Sequence, residues 1–273
     1  MNLTERRAIG VFDSGIGGLS VLQALRAELP LEDFVYLDDS LHAPYGERGD
    51  DHVVARTHAI ASHLRETHGI KALVIACNTA TMAAVVSLRA AHPELPIVGV
   101  EPGLKPAAAQ SRTGHVGVIG TRGTVTSAKF DALRRSLDGR ATFVVQACDG
   151  LADAINRSVA SNDDTRTKAL CESYIAAMGR FGTGPGEIDT LVLGCTHYVF
   201  AREHLRQLLG AEVRILSTGE PVARHTRHLL QTARRLASTG PGRVQLETTG
   251  EPAMLEAAAQ RWLAFATEAA RRV

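Results

Sequence analysis

The apolar positions of this chain fall into short runs separated by longer stretches with apolar residues at helical spacing. Runs of strand length stand at 8–12 (AIGVF), 34–37 (FVYL), 72–76 (ALVIA), 96–100 (PIVGV), 115–120 (HVGVIG), 142–146 (TFVVQ), 190–194 (TLVLG), 212–216 (EVRIL) and 243–247 (RVQLE). Helical periodicity marks 18–28, 50–68, 124–137, 165–178 and 221–236, because apolar residues three and four apart line one face of a helix. Near-continuous apolar strands alternating with amphipathic helices predict an α/β fold of mostly parallel sheets flanked by helices. In such sheets, ligands bind beyond the carboxyl ends of the strands.

Two of those ends repeat. LVIACNTAT (73–81) and LVLGCTHYV (191–199) each close an apolar run on a cysteine followed by polar residues. Upstream of each, GVFDSG (10–15) and GVIGTRG (117–123) place a strand before a small polar turn. The pattern reads as an internal duplication. Two such halves, facing each other, would bring Cys77 and Cys195 to opposite sides of one cleft. The turn-rich FGTGPGE (181–187) reads as a linker or a surface loop.

Composition narrows the function. With 273 residues, 45% hydrophobic and 22% charged, the chain has an ordinary globular composition at the size where one domain becomes two. A net charge of +1 makes no electrostatic case for nucleic acid or acidic membranes. Cys77, Cys148, Cys171 and Cys195 are too few for a disulfide framework, and no C-x-x-C spacing exists. The amino-terminal MNLTERRAIGVFDSG lacks the apolar region of a secretion signal. Asn78, Thr79, Thr81 and Ser87 interrupt the longest apolar stretch, 72–88, which argues against a membrane helix. A cytoplasmic protein is expected.

Two opposed thiols suit one kind of chemistry. A thiolate on one side of a substrate removes a carbon-bound proton while the thiol opposite delivers another, which inverts the centre. A free thiol has a pKa of roughly 8.5, so each needs help to ionise. Asp13 is the candidate helper for Cys77 and His197 for Cys195. Both cysteines also precede segments that read as helix starts, whose positive dipole ends favour a thiolate. Plainer readings exist for each residue. A single buried cysteine is usually a small hydrophobe, the role assigned to Cys148 and Cys171. Asp13 and Ser14 would also serve as a helix cap, and His197 as a structural residue. DSGIGGLS (13–20) partly fits a dinucleotide-binding turn, with Asp38 and Asp39 as ribose acids, but Ser20 holds the third glycine position. Pyridoxal phosphate is disfavoured, since Lys105 is the one lysine in a suggestive loop. The spacing of His42, His52 and His58 fits no common metal pattern. Neither cofactor nor metal is expected.

Six ordered motifs carry a resemblance that covers nearly the whole chain. GVFDSGIGGLSVL (10–22), HAPYGE (42–47), LVIACNTAT, VGVEPGLKPA (98–107), GVIGTRGT (117–124) and LVLGCTHY (191–198) resemble the cofactor-independent glutamate racemases of the aspartate/glutamate racemase family. STGEPVARHTRHLL (217–230) is similar to that family's closing helix region. The resemblance implies two pseudo-symmetric α/β domains, residues 1–98 plus 211–273 and residues 99–210. It implies that Cys77 acts on the D-isomer and Cys195 on the L-isomer, with Asp13 and His197 as auxiliaries. It also implies substrate contacts from Ser14, Tyr45, Gly46, Asn78, Thr79, Thr121, Thr124 and Thr196, and a supply of D-glutamate for peptidoglycan. Two positions depart from the family pattern. Asn156, in GLADAIN, stands where a glutamate is usual, so weaker support for His197 and Cys195 is expected. Val199 stands where proline is common. Rival readings are racemisation of another acidic amino acid such as aspartate, and a non-catalytic amino-acid-binding protein on the same fold. A homodimer is left open, because a dimerising helix looks like any amphipathic helix.

Overall fold

The computed structural model describes residues 7–273. Residues 1–6, part of the stretch read for a secretion signal, lie outside the described residues. The chain divides into two compact units: one runs to Val100 and resumes over Gly219–Val273, and the other is Glu101–Thr218.

The first unit opens with β1 (Ile9–Asp13), α1 (Leu19–Glu28), β2 (Phe34–Asp38), α2 (Asp50–His68), β3 (Ala72–Ile75), α3 (Asn78–Ala91) and β4 (Ile97–Gly99). The second contains α4 (Leu104–Gln110), β5 (His115–Gly120), α5 (Arg122–Val125), α6 (Ala128–Arg135), β6 (Thr142–Ala147) and α7 (Leu151–Ser161). It continues through α8 (Thr165–Ala177), β7 (Thr190–Gly194), α9 (Arg202–Leu209) and β8 (Arg214–Leu216). The chain then completes the first unit with α10 (Gly219–Thr232), β9 (Val244–Thr248), α11 (Pro252–Trp262) and β10 (Arg271–Arg272). All nine predicted strands are present. β10 has no apolar run of its own, which is why the pattern does not announce it.

Each unit is built on one parallel sheet, in the order β10-β9-β2-β1-β3-β4 and β6-β5-β7-β8. The order 2-1-3-4 of the first sheet recurs as 6-5-7-8 in the second, so the duplicated motifs rest on duplicated topology. β1 lies beside β3 with Phe12 opposite Ile75, and β5 beside β7 with Gly120 opposite Gly194. Within each unit, the residues after those paired strands therefore meet at one end of the sheet.

Burial follows from the alternation of side chains along a strand. In the second unit, Ile119, Leu191 and Leu193 pack with Leu151, Ile155 and Leu205 on one face. Val118 and Val192 point the other way, onto Leu104 and Phe130. In the first unit, Phe12, Leu37, Leu73 and Ile75 pack against Val53, Ile60 and Leu64 of α2 and Leu88 of α3. Asp50 and Asp51 sit in the first turn of α2, and Gly69, at φ +56°, ends it in a left-handed cap.

Two expectations need correction. Residues 211–218 go with the second unit, because β8 pairs with β7 through Thr190 opposite Arg214. The helix expected over 124–137 is two helices, since Ser127 caps α6 by accepting from the Phe130 N–H at 3.1 Å. Of the two readings of the glycine-rich 181–187 stretch, linker or loop, the loop holds: it lies inside the second unit and is closed by a bridge between Phe181 and Ile188. No helix among the described residues is long and apolar enough to cross a membrane.

Candidate active site

Cys77 sits two residues past β3 and is the N-cap of α3. Its sulfur accepts from the Ala80 N–H at 3.4 Å, a role that Ser, Thr or Asp usually fills. The Ser14 hydroxyl lies 3.5 Å from the same sulfur and donates to Asp13 Oδ1 at 3.3 Å. The Ser14 N–H donates to that carboxylate oxygen at 2.7 Å. Carboxylate, hydroxyl and thiol thus form a buried line. Burial pushes the Cys77 thiol up to about 12 and the Asp13 charge adds to the rise, while hydrogen bonds from Ser14 and Ala80 oppose it. Cys77 is therefore a protonated thiol at neutral pH.

The glycine-rich turn makes room for this line. A Cβ on Gly18 would stand 2.6 Å from Asp13 Cβ and 2.9 Å from the Tyr36 ring. The N-cap of α1 is Gly18, without a side-chain cap bond, so capping does not account for Asp13 and Ser14. Asn78, the first residue of α3, is buried, and neither its amide oxygen nor its nitrogen has a hydrogen-bond partner among the described residues. A buried amide left unsatisfied beside a thiol is suited to a polar ligand. Thr79, next in the helix, is also buried.

Tyr45 is buried in the same unit, and its hydroxyl donates to Asp39 Oδ2 at 2.5 Å. Asp39 also accepts from Arg56 Nε at 3.0 Å and Nη2 at 2.8 Å, and from Thr249 Oγ1 at 3.0 Å. Burial pushes the Asp39 carboxyl up, but the hydrogen bonds from Arg56, Tyr45 and Thr249 win and leave it below the usual range. The network holds the turn carrying Tyr45 and Gly46, with Gly46 half-buried. Asp38 Oδ2 accepts from Ser40 and Thr248 at 2.9 and 3.0 Å. Both acids named as ribose ligands are thus engaged by protein groups. Arg56 and Thr249 escape a sequence reading: Arg56 looks like any helix-surface arginine, and Thr249 arrives from 210 residues downstream of Asp39.

The second unit repeats the strand ends with other partners. Gly194 admits a close approach, since a Cβ there would stand 2.9 Å from the Ile119 carbonyl oxygen. The helix expected straight after Cys195 does not start there. Thr196–Ala201 wind as a 3-10 helix, α9 begins at Arg202, and the Cys195 side chain takes no cap bond. Its partner is His197, whose Nδ1 lies 3.8 Å from the sulfur. His197 Nε2 lies 3.1 Å from Asn156 Oδ1. An amide oxygen only accepts, so the ring donates from Nε2 and turns the lone pair of Nδ1 toward the thiol. Asn156, on α7, still reaches His197 and orients it, without the charge that a glutamate would bring.

The remaining residues complete the picture. Thr121 Oγ1 donates to Thr124 Oγ1 at 3.0 Å, and both Thr124 and Thr196 are buried. Val199 packs against the core. Cys148 and Cys171 are core residues too, pushed up by burial to about 12 and about 11. None of the four cysteines forms a disulfide. His42 meets Asp39 at 3.0 Å and lies near the His52 ring (centroids 6.3 Å apart), His52 packs edge-on to Tyr45, and His58 meets Ser87 at 3.0 Å, away from both. Lys105 is exposed on α4.

Comparison with known proteins identifies the family and the fold. The profile of the Asp/Glu/Hydantoin racemase family matches residues 19–226. The glutamate racemase of Stutzerimonas stutzeri (strain A1501) is 44% identical over 244 residues, 89% of each chain. The crystal structure of glutamate racemase isoform RacE1 from Bacillus anthracis superposes with a TM-score of 0.86 at 31% identity, covering 98% of both chains. Escherichia coli glutamate racemase, solved with L-glutamate and the activator UDP-MurNAc-Ala, gives a TM-score of 0.81 at 28% identity, with 98% of both chains covered.

Proposed function

The chain belongs to the Asp/Glu/Hydantoin racemase family, as a glutamate racemase, and on that premise we propose a two-thiol reaction with one sulfur serving each face of the α-carbon. From the L-isomer, the Cys195 thiolate takes the α-proton. The electron pair left on carbon delocalises into the adjacent carboxylate, and the Cys77 S–H delivers a proton to the opposite face. Cys195 ends as a thiol and Cys77 as a thiolate, so the D-isomer runs the same steps backward. His197 Nδ1 takes the Cys195 proton before the forward step. Asp13, through Ser14 or directly, accepts the proton of Cys77 before the reverse one.

The observation that carries this reading is the pairing of each buried sulfur with its own proton partner at matching ends of duplicated sheets. Substrate contacts are assigned to Ser14, Tyr45, Gly46, Asn78, Thr79, Thr121, Thr124 and Thr196. Among them, the unsatisfied amide of Asn78 has the strongest physical claim. The hydroxyl of Tyr45 is committed to Asp39, so that residue acts by shape and by holding Gly46. The E. coli relative's L-glutamate supports the substrate. The product is D-glutamate for peptidoglycan synthesis, made in the cytoplasm, where free thiols persist. Neither cofactor nor metal takes part in these steps.

The test is optical rotation of L-glutamate, D-glutamate and L-aspartate with purified chain, chelator present and no cofactor added. Both glutamate isomers decay to the racemate and aspartate does not. Inversion of aspartate with glutamate untouched would overturn the substrate, and tight binding of glutamate without inversion would overturn the reaction.

A further inference from the structure

A second cluster of reactive side chains lies in the first unit, outside the residues assigned to the racemase reaction. His63 and His68, on the last turns of α2, both reach Glu247 of β9. His63 Nε2 lies 3.0 Å from Glu247 Oε2, and His68 Nε2 lies 2.8 Å from Oε1. The two rings meet edge to face with centroids 5.9 Å apart, so they approach one carboxylate from two sides. The ligand-capable atoms of all three residues fall within 4.8 Å of one another. We propose that His63, His68 and Glu247 form a binding site for one divalent transition-metal ion of the zinc kind.

The donor set and spacing both fit. Two imidazoles and a carboxylate with an open fourth position is a common zinc set. Bonds of about 2.0–2.2 Å around a tetrahedral ion separate neighbouring ligand atoms by roughly 3.3 Å. The two rings meet different carboxylate oxygens, at 3.0 and 2.8 Å, and the three ligand atoms, all within 4.8 Å of one another, would draw together by up to about 1.5 Å around the ion. Nε2 faces the carboxylate on both rings. When an ion takes those lone pairs, each neutral ring carries its proton on Nδ1. On His63 that nitrogen lies 3.5 Å from Thr67 Oγ1, an available acceptor.

The surroundings favour an ion as well. The Glu247 side chain is 4% exposed, and Gln245 Nε2 donates at 3.2 Å to its Oε1, the oxygen that also faces His68, orienting the carboxylate as outer-shell partners of metal ligands do. The His63 and His68 side chains are 31% and 14% exposed, which leaves an entry route. An ion here would clip the end of α2 to a strand contributed by the carboxyl-terminal segment. Binding to the folded chain alone then raises its stability with ion concentration.

The test uses the full chain with zinc in equilibrium dialysis, cobalt as an optical probe, and thermal melts at increasing zinc. The proposal expects one zinc per chain at this site, a rising Tm, and visible cobalt bands without a thiolate-to-cobalt band. The double variant His63→Gln/His68→Gln loses affinity more than about tenfold, and Gln245→Ala weakens it by about tenfold, with racemisation unchanged in both. Glu247→Gln should also lose the ion. If that variant fails to fold, the partly exposed histidine variants still decide. Zinc affinity unaltered in the double variant, or cobalt bound through sulfur, would overturn the site.

Discussion

The ends of β3 and β7 share a backbone plan and differ in what surrounds the sulfur. Cys77 caps an α-helix, accepts an N–H and lies in line with a hydroxyl and a carboxylate. Cys195 precedes a 3-10 turn, takes no cap bond, and faces an imidazole held by an amide. A carboxylate near a thiol disfavours the thiolate, whereas an imidazole that accepts the proton becomes a cation and favours it. Duplication therefore kept the strand ends and separated the proton chemistry. In the proposed reaction Cys77 rests as the acid, and Cys195 has the partner that makes it the base.

The comparison breaks most completely when either sulfur is removed. Cys77→Ala and Cys195→Ala should each lower racemisation by at least about 10³-fold in steady-state assays, and equal loss in both directions is expected because every turnover of the proposed reaction uses both groups. Asp13→Asn attacks one side only. It removes a charge that raises the Cys77 thiol, so alkylation of Cys77 at pH 8, followed by peptide mass spectrometry, should speed up several-fold. In the unaltered chain, the same rate should keep climbing above pH 9 without a plateau, since the thiol titrates near 12.

Asn156 sharpens the other side. Asn156→Leu releases the His197 ring to either tautomer, and kcat should fall about tenfold. Asn156→Asp puts a carboxylate against Nε2 and favours imidazolium. His197 then accepts the Cys195 proton only at higher pH, and the acid limb of kcat/KM for L-glutamate should move upward. An unmoved limb would make Asn156 a packing residue.

The smallest effect concerns Asp38, beside Asp13 in the sheet. Burial pushes its carboxyl up to about 7 against hydrogen bonds from Ser40 and Thr248, with Asp13 and Asp39 adding to the rise. The folded chain thus keeps a proton that the unfolded chain releases near pH 4. That contribution to stability is complete below pH 4 and is lost as pH rises through 7. Asp38→Asn should raise Tm at pH 8 by a few degrees, about 1–2 kcal/mol, and leave it unchanged at pH 4.

Much of the scaffold was legible because strands buried on both faces are apolar along their length, and the two cysteines end such runs. Asp13 and His197 were legible as neighbours of those ends. Other features had no local signal. A 3-10 turn and an α-helix start alike in THYVFA, so the missing cap at Cys195 was hidden. The apolar run of β8 says nothing about which sheet it joins. Ser14 could be named as a contact, yet its place between Asp13 and Cys77 depends on β1 lying beside β3. The departure at Asn156 was visible, but its hold on His197 spans 41 positions. Glu247 meets His63 from 184 positions away, beyond any spacing rule.

The central claim is that each sulfur serves one isomer. It is tested most directly by α-deuterium exchange in heavy water, followed by NMR, with each isomer of glutamate and each single cysteine variant. Cys195→Ala should exchange D-glutamate alone and Cys77→Ala should exchange L-glutamate alone, and neither variant should invert its substrate. Exchange of both isomers at similar rates by either variant would contradict the account.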